Sequence, residues 1–365
     1  MRMRLFLFLI VLLTSFSIKG QTDTISDGEE DYSMYENLDF VDEGAKRFCT
    51  PKVFDLSPAK LISVGFDHQG AFDIDYGAWG NTDKSAIGPQ TGKFNGASGM
   101  RIGANIPVIA KTNIVLQLGF NYLRTAYSGN GVTSNNPLDQ QLREEGLRST
   151  GINTTLFKPL NEQNFFIFQS SADLSGDYNF NQLIPLKYTR ISAALIFGKK
   201  VNDRKMIGFG ISRTYRVGEL NYIPVMLFNW TAPNRKWGVE MLAPARANIR
   251  KTISPRNILL FGYELEGNSY RILSQNFSNG QAADIKNIEL RRSELRFRAT
   301  WETSLHQFLW MSVQLGYRYG YGFQLDQFSN DKEFFRGFFG DQAYFQENNL
   351  NGTWYAQVSL NLVSP

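Results

Sequence analysis

From residue 60 onward the chain alternates apolar and polar side chains with period two. Ile114, Leu116, Leu118, Phe120 and Tyr122 alternate with Val115, Gln117, Gly119 and Asn121, and Ile207, Phe209 and Ile211 with Gly208, Gly210 and Ser212. Leu295, Phe297, Ala299 and Trp301 oppose Glu294, Arg296, Arg298 and Thr300; Leu309, Met311, Val313, Leu315, Tyr317 and Tyr319 oppose Ser312, Gln314, Gly316, Arg318 and Gly320. Successive side chains of a strand point to opposite faces, so each segment reads as a two-faced β-strand. The segments are long. Soluble strands cluster near five or six residues, whereas a tilted strand crossing a bilayer needs about 9–11. One face is rich in Gly, Ser, Gln and Arg; the other ends in Tyr, Phe or Trp, as the lumen and aromatic girdle of a membrane barrel do. Backbone groups in lipid must all be paired, so such strands have to close into a barrel.

The pattern predicts strands at 60–76, 97–107, 112–125, 150–158, 164–174, 186–199, 205–217, 221–231, 236–243, 245–253, 257–272, 287–301, 307–322 and 352–363. The expected fold is all-β, an antiparallel transmembrane β-barrel of the outer membrane with about 14 strands. Merging the short pair around Pro244 gives an odd number with termini on opposite sides. Bacterial barrels keep an even number, so twelve is the alternative. Short turns are expected at 199–205, 232–236, 254–257 and 302–307, and long loops at 77–96, 127–150, 274–286 and 323–350. With the short turns in the periplasm, both termini are periplasmic.

The N-terminus reads as a secretory signal over residues 1–20: Arg2 and Arg4, an apolar run from Leu5 to Leu13, then small residues before Gln21. Residues 21–57 form an acidic periplasmic leader, carrying Asp23, Asp27, Glu29, Glu30, Asp31, Glu36, Asp39, Asp42 and Glu43, and residues 58–365 the barrel. The formal net charge of +4 loses Arg2, Arg4 and Lys19 with the signal. The exported chain is therefore close to neutral and has no electrostatic case for a nucleic-acid partner. A single Cys excludes a disulfide scaffold, and 14% aromatic content excludes a disordered chain.

Certain local runs carry a resemblance: Gly218-Glu219-Leu220-Asn221-Tyr222-Ile223-Pro224, Lys236-Trp237-Gly238-Val239-Glu240, Pro244-Ala245-Arg246, and Ser254-Pro255 leading into Gly262-Tyr263-Glu264-Leu265-Glu266-Gly267. With them, residues 55–363 resemble outer-membrane β-barrel proteins of unknown function from Bacteroidota-type Gram-negative bacteria. The resemblance implies a fold and a location and brings no activity.

Candidate chemistry is sparse. No catalytic residue, metal site or cofactor is expected. Asp67 and His68 are strand neighbours on opposite faces and form no dyad with each other. The informative polar set is Arg190, Arg216, Arg292, Glu294, Arg296, Arg298 and Arg318 on lumen faces, with Glu264 or Glu266 as partners. Two readings stand: an anion-attracting constriction, or Arg–Glu networks that fill the lumen. Phe328, Phe334, Phe335, Phe338 and Phe339 crowd the last long loop, as an inward plug or as an apolar surface for a partner. Three functions follow. The first is a passive or selective conduit for small solutes. The second is a closed structural barrel, a subunit of an envelope complex joined through the acidic leader or the 323–350 loop. The third is an outer-membrane hydrolase. The surrounding lipid is the one partner common to all three.

Overall fold

The computed structural model describes residues 47–80, 87–129, 134–178, 186–215, 218, 220–273, 288–327 and 344–364. In chain order the strands are β1 (Lys60–Gln69), β2 (Phe72–Tyr76), β3 (Gln90–Phe94), β4 (Gly96–Lys111), β5 (Ile114–Ser128), β6 (Leu147–Pro159), β7 (Asn164–Gly176), β8 (Arg190–Asn202), β9 (Lys205–Thr214), β10 (Asn221–Thr231), β11 (Trp237–Ala243), β12 (Arg246–Ser254), β13 (Asn257–Ile272), β14 (Ile288–His306), β15 (Leu309–Gln327), β16 (Asn348–Leu350) and β17 (Thr353–Val363). One α-helix among the described residues, α1 (Pro137–Glu144), lies between β5 and β6.

Fourteen strands close a barrel in the order β1-β17-β15-β14-β13-β12-β11-β10-β9-β8-β7-β6-β5-β4 and back to β1. The fold is thus the all-β antiparallel barrel that the alternation predicts. Closure brings the chain ends together: Lys60 pairs with Val363, and the Ser364 N–H donates to the Ala59 carbonyl at 2.9 Å. The short turns share this end. They are tighter than expected, because β8 continues to Asn202 and β14 through His306; His306 ends a strand opposite Leu309.

The predicted strand 60–76 is two elements. In β1 the buried positions are odd (Asp67, Gln69); in β2 they are even (Phe72, Ile74, Tyr76). That phase change needs a kink, and Gly70-Ala71 supplies it. β2 leaves the wall and joins β3 and β16 in a separate three-stranded sheet at the end opposite the short turns.

The distribution of side chains is inverted relative to a water-soluble protein. Phe209 (60% exposed), Ile211, Leu315, Phe66, Ile152 and Leu360 stand on the outside, while Asp67, Arg296, Arg318 and Asn361 are buried inside. This is the arrangement of a barrel solvated by lipid. Phe209→Arg is therefore expected to cost about 2–4 kcal/mol in a bilayer, as charges near the midplane do. Urea unfolding in lipid vesicles measures it, and a change within the about 0.5 kcal/mol of an ordinary surface substitution would remove Phe209 from the lipid face.

Candidate functional site

The lumen is the concave feature that all strands share, and its contents change with height. At the end opposite the short turns, Phe72, Ile74 and Tyr76 of β2, Phe94 of β3 and Leu350 of β16 pack with Leu138 and Leu142 of α1 and with Leu290 and Phe323 from the tops of β14 and β15. α1 starts where Asn136 accepts the Leu138 N–H at 3.0 Å and Pro137 takes the first turn, a favourable N-cap with proline inside it. This cap places an apolar core at the mouth.

Asp177, the first residue after β7, fastens the cap. Its carboxylate accepts from Gln141 Nε2 (2.6 Å) and from the Leu273 N–H (3.1 Å), and its own N–H donates to the Arg271 carbonyl (3.2 Å). Burial pushes its pKa up to about 7 against the donors from Leu273 and Gln141, with Glu145 adding repulsion. The folded pKa lies above the unfolded one. Its stabilising contribution is therefore complete below about pH 4 and is lost as pH rises through about 7. Hydrogen exchange at the Leu273 amide is expected to accelerate over that window beyond its intrinsic rate, and Asp177→Asn to abolish the extra acceleration. An identical pH profile in the variant would sink this assignment.

Beneath the cap runs a buried ion-pair network. Glu294 accepts from Arg292 Nε (2.7 Å) and Arg296 Nη2 (3.1 Å) and lies 3.5 Å from Arg318 Nη1. Glu266 takes Arg101 at 2.8 Å and Arg296 at 3.2 Å, with Asp67 at 3.8 Å from both guanidinium groups. Arg318 also donates to Gln69 Oε1 (2.7 Å) and the Asn351 carbonyl (2.8 Å), and its guanidinium lies 4.4 Å over the Phe72 ring. Arg101 is on β4 and Glu266 on β13, with β1, β17, β15 and β14 between them round the ring, so this pair spans the lumen. Gly99 is required here, since a Cβ would collide with the Asp67 carboxylate.

Of the sequence candidates, the fold brings Arg292, Glu294, Arg296 and Arg318 into one cluster. Arg298 pairs instead with Glu264 on the neighbouring strand. Arg190 reaches Glu289 at 2.8 Å, on the face of β14 opposite Glu294. Arg216 and the loop residues Phe328, Phe334, Phe335, Phe338 and Phe339 lie outside the described residues. The network members not foreseen are Asp67, Arg101 and Gln69.

The wall is uneven. β12 last pairs with β13 at Arg246–Glu264, while β13 continues to Ile272 along β14. Upper β13 meets β7 at Arg271–Gly176 instead, so the hairpin tip at Pro244-Ala245 is the lowest point of the rim. Glu264 remains one-third exposed there.

The base is crossed by residues 47–59. Cys49 N–H donates to Asn161 O (3.0 Å), Lys200 Nζ to Thr50 Oγ1 (2.7 Å), Phe54 N–H to Asp203 O (2.8 Å) and Thr231 Oγ1 to Phe54 O (2.7 Å). Ser57 N–H donates to Glu240 Oε1 (2.9 Å), itself 3.0 Å from Arg250 Nε. Val53 is 3% exposed, packed against inward Phe165, Ile196, Met206, Val225 and Leu227. Burial pushes the Cys49 thiol up, away from reactive thiolate. The segment is a strap across the lumen floor.

His68 is on the outer face, its Nδ1 3.0 Å from Ser98 Oγ, while Asp67 is buried in the lumen. The expected opposition of these neighbours holds.

A family model described as Domain of unknown function (DUF6268) matches residues 69–362. The chain belongs to that family. In this DUF6268 protein the match runs from Gln69, at the top of β1, to Leu362 in β17, so it takes in the network apart from Asp67 and the barrel wall apart from most of β1, but not the strap. No curated protein matches. Solved structures with some likeness include an outer membrane channel from Pseudomonas putida F1 (11% identity, TM-score 0.35, 86% of this chain and 99% of that one). Others are the toluene transporter TodX of Pseudomonas putida (8%, 0.30, 87% and 95%) and a FadL homologue from Pseudomonas aeruginosa (8%, 0.31, 83% and 90%).

Proposed function

We propose that this DUF6268 protein is a gated conduit for small solutes across the outer membrane of a Bacteroidota-type Gram-negative envelope, with both termini periplasmic and the described state closed. One observation carries the reading: a strap outside the barrel's hydrogen-bonded wall packs into the floor of the lumen and can leave without breaking a strand. On this reading Arg292, Glu294, Arg296 and Arg318 hold the capped part of the mouth shut, and solute passes over the low rim at Pro244-Ala245. The strap is the C-terminal end of the acidic leader, so a periplasmic partner that pulls on the leader would open the floor. The second reading, a closed barrel that serves an envelope complex, is favoured by the lumen-spanning Arg101–Glu266 pair. Single-channel recording of residues 21–365 in a planar bilayer tests the proposal. Brief openings are expected; permanent silence from folded protein, with the strap both seated and released, would leave the second reading.

A further inference from the structure

The lumen at mid-height is neither filled nor charged. By the barrel register, Asn105, Gln117, Asn153, Gln169 and Gln357 face inward from β4, β5, β6, β7 and β17. None of these is buried, and Asn105 is exposed although it points into the barrel. The glycines between them keep the space open. A Cβ on lumen-facing Gly103 would meet nothing within 4 Å, and Gly119 lies directly under the Asn105 and Asn153 amides. Across the lumen, Asn248 of β12 is 8% exposed and its side-chain oxygen has no hydrogen-bond partner. By register it lies on the lumen face of β12.

Most lumen-facing charges above and below this level are ion-paired, while Arg246, inward by register opposite Glu264, is exposed at the rim. Above are the Glu294 network and Arg298–Glu264; below are Lys60–Glu302 at 2.7 Å and Arg250–Glu240 at 3.0 Å. Asp173, at the upper edge, accepts from Asn121 Nδ2 (3.1 Å) and Ser171 Oγ (2.8 Å).

We infer that the chamber selects small, uncharged, polyhydroxylated solutes of sugar type over ions of the same size; this rests on the conduit reading above. A primary amide offers two donors and an acceptor. A ring of them can replace the water bonds of a neutral hydroxylated solute one for one, at nearly balanced free energy. An ion entering the same ring loses hydration and meets, among the described residues at this level, one carboxylate, Asp173, already holding Asn121 and Ser171, a loss that bonds to neutral amides offset only in part. The Arg-rich sequence allows anion attraction; the pairing of Arg190, Arg292, Arg296, Arg298 and Arg318 argues against it.

The test is solute flux into proteoliposomes holding the mature chain, with galactose, gluconate and lysine as probes. Wild type and the strap-released variant Val53→Asp are measured side by side, and heat-modifiable gel mobility checks folding. Galactose is expected to enter about tenfold faster than either ion, equivalent to about 1.4 kcal/mol. Gluconate or lysine entering as fast as galactose would overturn the inference and leave the conduit standing. Flux of no probe in either folded protein would overturn the conduit, and the inference with it. Asn153→Asp with Gln169→Glu adds fixed negative charge to the ring and should reverse the order between lysine and galactose. An unchanged order in that folded variant would place the selective level elsewhere and overturn the assignment to this chamber.

Discussion

Val53→Asp is expected to convert a barrel that is closed most of the time into one that conducts steadily. Val53 is 3% exposed in the floor cluster. Removing a fully buried valine from an apolar site forfeits about 1.5–3 kcal/mol. Burying a carboxylate there in place of the methyl groups costs several kcal/mol more. The rim hydrogen bonds at Cys49, Thr50, Phe54 and Ser57 contribute about 0.5–1.5 kcal/mol each after exchange with water, so the substitution outweighs most of what holds the strap down. No barrel strand depends on the strap, because β1 begins at Lys60 with partners of its own on β17 and β4. The wall should therefore stay intact while the floor opens. Single-channel recording in a planar bilayer reads the result directly. Val53→Ala, which removes volume but adds no charge, should lengthen openings without abolishing closure. A folded Val53→Asp protein as quiet as wild type would show that the strap is not the gate.

Most of the wall is legible in the sequence. The period-two segments give each barrel strand and the correct even number, because lipid on one side and a polar lumen on the other impose the same alternation on every strand. The largest shortfalls lie at the end opposite the short turns, which is not in lipid. There the constraint relaxes and the alternation no longer reports a wall. β2 keeps period two after Gly70 but changes phase, which marks its departure from the barrel. α1 sits inside what reads as a long polar loop. Its signal was present, in Asn136-Pro137 followed by Leu138 and Leu142 four apart, an N-cap with an apolar helical face.

The site was legible by face and not by height. Alternation correctly turns Arg292, Glu294, Arg296, Arg298 and Arg318 inward, and a sequence cannot say which of them meet. Strand stagger decides that: Arg296 shares a level with Glu266 and Asp67, while Arg298 is left with Glu264. Arg101 escaped notice because it lies in Gly99-Met100-Arg101-Ile102-Gly103-Ala104, where small residues blur the alternation. Val53 escaped for a simpler reason. One valine in a polar stretch carries no periodicity, and only the apolar lower lumen of β7–β10 gives it a role.

Glu294→Gln is the second large effect, and it separates a lumen held by charge from one merely lined by it. Arg292, Arg296 and Arg318 all converge on this carboxylate. Glu266 and Asp67 remain, but they already serve Arg101 and Arg296. The substitution keeps the volume and a hydrogen-bond acceptor, yet leaves buried guanidinium charge without a counter-ion. Breaking a buried pair from one side in this way costs about 3–5 kcal/mol. Added salt should recover little of it, because buried charges are poorly screened. The denaturant midpoint in lipid vesicles should fall accordingly. Arg318→Met placed on top of Glu294→Gln should restore part of the loss, since it removes the most deeply buried uncompensated charge and retains an apolar stem against Phe72. Residues sharing a partner couple in this non-additive way. If Glu294→Gln changes stability by no more than about 0.5 kcal/mol, as an ordinary surface substitution does, the arginines are solvated by lumen water. In that case they form an open cationic lining, and the anion-attracting constriction is restored.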